Sequence, residues 1–67
     1  MGGQATLFVF AFTDGAGDEA ALARLEFESD VDAVIHAVRV LQANPSWSAV
    51  RIMADGVEVA SFTSDGL

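Results

Sequence analysis

The chain has no cysteine, no lysine and no tyrosine, and only one proline and one histidine. Without cysteine there is neither a disulfide nor a thiolate metal site. With cysteine, lysine and tyrosine all missing, the candidate nucleophiles shrink to serines. None of these sits in a Ser-x-x-Lys or Gly-x-Ser-x-Gly setting. Positive charge is scarce: three arginines face ten acidic residues, for a net charge of −7. Nucleic-acid binding depends mainly on cationic contacts to phosphate, so no nucleic-acid partner is expected. Anionic membrane surfaces are disfavoured for the same reason. The excess of acid serves solubility.

Long apolar runs are absent as well. Leu7 to Phe12 is the longest, far short of the ~20 residues that span a bilayer as a helix. The segment from Met1 to Phe12 lacks a basic leading region and a cleavage site of small residues, so no signal peptide is expected. Met1-Gly2-Gly3-Gln4-Ala5-Thr6 matches the loose N-myristoylation pattern, which a Gly-Gly lead-in to a strand explains equally well. The expected setting is the cytoplasm, with no membrane contact.

What is present is apolar bulk: 67 residues, 52% of them hydrophobic. That content excludes a disordered polar tail and fits a single small domain over residues 1–67. Domains of this size bury little surface and commonly lean on a disulfide, a metal or a partner subunit. With the first two unsupported, self-association is the remaining option.

Thr6 to Phe12 is rich in aromatic and β-branched residues and reads as a strand. Both its faces are apolar, with Leu7, Val9 and Ala11 on one and Phe8, Phe10 and Phe12 on the other. Thr13 to Gly17 is a turn region. From Ala21 to Glu28, Ala23, Leu25 and Phe27 alternate with Arg24, Glu26 and Glu28, which predicts an edge strand. Helix-forming composition argues the other way, and Leu22 interrupts the alternation. Ser29-Asp30-Val31-Asp32 is a helix start with a capping serine and acids suited to the dipole. Val31, Val34, Ile35, Val38 and Leu41 form the predicted apolar stripe, and Asn44-Pro45 ends the helix.

Ser48 to Ala54 and Val57 to Thr63 read as strands joined by an Asp55-Gly56 hairpin turn. A regular hairpin sets Ile52 opposite Val59 and Val50 opposite Ser61. Val50, Ile52, Val57 and Val59 then lie under the helix, and Ala49, Arg51, Met53, Glu58, Ala60 and Phe62 lie on the other face.

The predicted fold class is α+β: ββαββ, a four-stranded sheet with the helix on one face. The expected order is 2-1-4-3, as in β-grasp and protein-G-like folds, with an antiparallel 2-1-3-4 order as the alternative. One helix covers one face, so an apolar set of strand 1 is left over. The expected interface is Phe8, Phe10, Phe12, Met53, Ala60 and Phe62, with Leu7, Val9 and Ala11 as the other candidate for the open side. Such a patch marks an interface, and a second copy of the chain is the expected partner.

Other candidates are thinner. Gly15 to Ala20 matches G-x-G-x-x-A, but the chain has no room for the βαβ unit that gives this motif meaning. Asp14, Asp18 and Glu19 lack the spacing of a calcium loop. His36 falls beside Ala33, Ala37 and Val40, with Asp32 four residues earlier as a candidate partner. Trp47 is read as a plug for the open end of the core, or as an anchor for a partner. No cofactor, metal or catalytic residue is expected.

The layout of an aromatic strand running into Asp14-Gly15, an acidic start at Ser29 to Asp32, an alanine- and valine-rich helix, Trp47 to Ile52 and an Asp55-Gly56 hairpin resembles a group of very short bacterial ββαββ proteins classed as domains of unknown function. The resemblance covers roughly residues 6 to 64. It implies the fold and a bacterial cytoplasmic setting, and brings no activity or site residue with it.

The function expected is that of a non-enzymatic interaction module that homodimerises through the open sheet face. A carrier of a small apolar ligand or peptide, held against Phe8, Phe10, Phe12 and Phe62, is the first alternative. An enzyme using His36 with a carboxylate is the second.

Overall fold

Three phenylalanines at alternate positions give the first strand one face of large rings, and the fold forms around them. A computed structural model describes residues 4–66; the Met1-Gly2-Gly3 part of the lead-in, and with it the myristoylation pattern, lies outside them. The elements are β1 (Thr6–Asp14), β2 (Glu19–Phe27), α1 (Asp30–Ala43), β3 (Trp47–Ala54) and β4 (Val57–Thr63), followed by a short 3-10 turn, Ser64–Gly66. The fold class is α+β, and the strands form one antiparallel sheet in the order β2-β1-β3-β4.

The β-grasp order 2-1-4-3 is therefore corrected to the fully antiparallel alternative. Burial gives the reason. Val50 and Ile52 of β3 are 1% and 0% exposed, whereas no residue of β4 is fully buried. The more apolar strand of the second hairpin takes the centre beside β1, and β4 takes the edge. As β2 and β3 are both antiparallel to β1, they run parallel to each other, and α1 crosses over β1 to join them.

Phe8, Phe10 and Phe12 are at most 3% exposed and pack with Ala33, Ala37, Leu41, Val50 and Ile52. The helix stripe differs from the one predicted. Ala33, Ala37 and Leu41 are buried, while Val31 and Ile35 are 65% and 43% exposed. Alanines let the helix approach the bulky phenylalanine rings closely, and a valine–isoleucine stripe over the same rings would hold it off. Trp47 stacks on Phe12, with ring centroids 4.8 Å apart, and closes one end of this core.

The termini of α1 follow local rules. Ser29 Oγ accepts a hydrogen bond from the Asp32 N–H at 3.2 Å, and Asp30 and Asp32 occupy the first turn. Asn44 ends the helix, its Nδ2 donating to the Val40 carbonyl at 2.7 Å ahead of Pro45. Asp55 and Gly56 take positive φ of 54° and 76°, the backbone of a tight hairpin turn.

Beyond that turn the expected register fails by one residue. Ala54 pairs with Val57 and Met53 with Glu58, but a bulge then sets Ile52 opposite Ala60 and Val50 opposite Phe62. Val59 is the extra residue. A bulge bends its strand and changes which side chains face inward, and here it lets Phe62 pack against the core. Ala60 and Phe62 thus move from the open face to the helix face, and Val57 is 65% exposed instead of covered.

Replacing Phe10 by alanine is expected to remove about 3–5 kcal/mol, comparable with the roughly 3–10 kcal/mol total for a domain of this length. Urea unfolding followed by circular dichroism should find the variant's midpoint far below that of the parent chain. Ser29→Ala should cost about 1 kcal/mol in the same assay.

Candidate functional site

The sheet has a second face, and register assigns its residues. Phe8, Phe10 and Phe12 point to the helix, so Leu7, Val9, Ala11 and Thr13 point away. Pairing adds Glu26, Arg24, Leu22 and Glu19 from β2, Met53, Arg51 and Ala49 from β3, and Glu58, Ser61 and Thr63 from β4. No element of the described residues covers this face.

Of the six interface residues expected, only Met53 lies there. Phe8, Phe10 and Phe12 are buried beneath α1, and Ala60 and Phe62 are half-buried against the same core. The large rings take the covered side because each removes about 150–250 Å² from water, more than Leu7, Val9 or Ala11 can. The leftover set is therefore Leu7, Val9 and Ala11, extended by Leu22 and Met53. Leu7 and Leu22 are each 48% exposed. Leu22 was legible in principle: it breaks the alternation of β2 because it belongs to the opposite face.

Charge on this face is close to balanced. It holds Arg24 and Arg51, two of the three arginines, beside Glu19, Glu26 and Glu58. The remaining acids lie at the end of β1, in the turns, around the helix start and in the 3-10 turn. Arg51 Nε donates to Glu58 Oε1 at 3.0 Å, bracing β3 against β4. Near the β1–β2 turn the small side chains Ala11, Thr13, Ala49, Ser61 and Thr63 leave an open depression of about 510 Å³.

The other candidates do not assemble into sites. His36 packs its ring against Phe10 at 5.5 Å and Phe27 at 5.4 Å. No hydrogen bond or ion pair joins it to Asp32 or another acid among the described residues. The phenylalanines named for an apolar ligand are engaged in the helix–sheet core. Asp14 serves its own turn, Oδ1 accepting from the Ala16 N–H at 2.9 Å and the Asp18 N–H at 3.1 Å. Ser48 Oγ donates to the Asp14 carbonyl at 2.7 Å and ties that turn to β3. Gly15 to Ala20 leads into β2 and not into a helix, so its glycines shape a turn; Gly17 has a φ of +89°.

Among the described residues no helix is long and apolar enough to cross a membrane. Neither a family model nor a curated protein nor a solved structure matches the chain.

If Asp14 is a turn residue and not a cation ligand, Asp14→Ala should lower unfolding stability by about 1–3 kcal/mol. The loss should be the same with excess calcium as with chelator, as read from urea midpoints in both buffers.

Proposed function

We propose that this protein is a small non-enzymatic interaction module whose open sheet face pairs with a second copy of the chain. The observation that carries this is the uncovered face itself, with Leu7, Val9, Ala11, Leu22 and Met53 in one sheet and the helix committed to the other side. Charge supports a copy as the partner. Two chains of net charge −7 repel each other, and on this face two arginines offset two of the three glutamates.

Size supports it too. Four strands at ~4.8 Å spacing and about seven residues at ~3.3 Å rise give a face of roughly 450 Å² in projection. Two such faces, with the relief of their side chains, come near the lower bound of about 1,200 Å² for specific interfaces. The association is thus at the small end of specific interfaces and depends on concentration. A bacterial cytoplasmic setting, implied by resemblance in pattern and length, belongs to the same reading, as does the absence of a nucleic-acid partner.

Sedimentation equilibrium tests the reading. At high micromolar concentration the mass should approach twice the 7.0 kDa chain and fall on dilution. Val9→Glu, which places a charge in the centre of the face, should hold the chain monomeric at all concentrations while its far-ultraviolet spectrum stays unchanged. A parent chain that is monomeric throughout, or a Val9→Glu variant that dimerises as well as the parent, refutes it.

A further inference from the structure

The pairing registers place four residues of the open face in one row across the sheet. Val9 pairs with Arg24 on one side and Met53 on the other, and Met53 pairs with Glu58. The row reads Arg24, Val9, Met53, Glu58, with a cation on the β2 edge, an anion on the β4 edge and two apolar side chains between them. This pattern is complementary to itself when turned over.

Two copies can stack these faces about a two-fold axis in either of two directions. With the axis parallel to the strands, above the seam between β1 and β3, β2 of one copy lies over β4 of the other at the same height. The axis across the strands lays β2 on β2 and β4 on β4. Only the first brings Arg24 over the partner's Glu58 and Val9 over the partner's Met53, each contact occurring twice by symmetry.

Resting on the homodimer reading above, we infer that the partner copy docks in the first of these arrangements, with the Arg24–Glu58 pairs at its rim selecting the orientation. Arg51 engages only Oε1 of Glu58, so Oε2 is free to accept from the partner's Arg24. Aligned sheets pack at about −30° to each other, and a row that passes over the axis stays close to register despite that rotation. The apolar centre supplies affinity. The charges at its edges supply direction, because an inverted arrangement sets like charges against each other.

Charge reversal in two separate chains tests this. In an Arg24→Glu homodimer each introduced carboxylate meets the partner's Glu58. In a Glu58→Arg homodimer each introduced guanidinium meets the partner's Arg24. Each variant alone should dimerise on the order of tenfold more weakly than the parent at low salt. Mixed in equal amounts, they should form a heterodimer in which both contacts are again between opposite charges, with affinity near the parent's. Native mass spectrometry separates the heterodimer from either homodimer by mass, and circular dichroism checks that both variants are folded. The inverted packing would also favour the heterodimer, but its single variants would dimerise as well as the parent and its heterodimer more tightly than the parent; either result, from a parent that does dimerise, overturns the orientation and leaves the dimer standing. A parent that does not dimerise removes both.

Discussion

Everything in this small fold depends on burying three phenylalanine rings from a single strand. Phe8, Phe10 and Phe12 project from one side of β1, and one helix is available to cover them. That contact sets the rotation of the helix, since Ala33 and Ala37 are the side chains small enough to lie over the rings. It also draws Val50 and Ile52 in beside β1 and so fixes β3 at the centre of the sheet. Trp47 and Phe62 finish the core from its margins. The cost is on the other side: with the helix committed, no second layer among the described residues lies over Leu7, Val9, Ala11, Leu22 and Met53.

Much of this was legible in the residues where the signal is local. The aromatic strand, the Ser29 cap, the Asn44-Pro45 stop and the Asp55-Gly56 turn each follow from chemistry within a few positions of the chain. So does β2, where alternation correctly overrules helix propensity. The misplaced features are those decided by contacts between distant segments. The sheet order turns on whether β3 or β4 is the more buried neighbour of β1. The helix stripe turns on volume: Val31 and Ile35 are more hydrophobic than Ala33 and Ala37, but the space above the phenylalanines is narrow. The bulge at Val59 leaves no mark in the sequence. It shifts Ala60 and Phe62 across the sheet and takes them out of the expected interface. Beneath this lies one open choice: the residues of β1 show two apolar faces, but only the packed helix decides which of them is covered.

The open face combines exposed apolar side chains with charges that nearly balance. A chain this acidic and this short has few places where another copy can approach without strong repulsion, and Arg24 and Arg51 make one. Small domains without disulfides or metals gain stability by association, and whatever favours the associated state also stabilises the fold. In the proposed reading, fold and function are linked through the same sheet: its inner face holds the monomer together, and its outer face is the surface proposed for the contact. His36 belongs to the first of these roles, as an aromatic neighbour of Phe10 and Phe27.

The most direct measurement is a dilution series followed by backbone amide chemical shifts. Concentration-dependent shifts should cluster at Leu7, Val9, Ala11, Leu22, Arg24, Arg51 and Met53, while Val31 and Ile35 on the outer side of the helix stay constant. Shifts confined to the helix, or none over the whole range, would contradict the account that the uncovered face of the sheet is where this protein meets its partner.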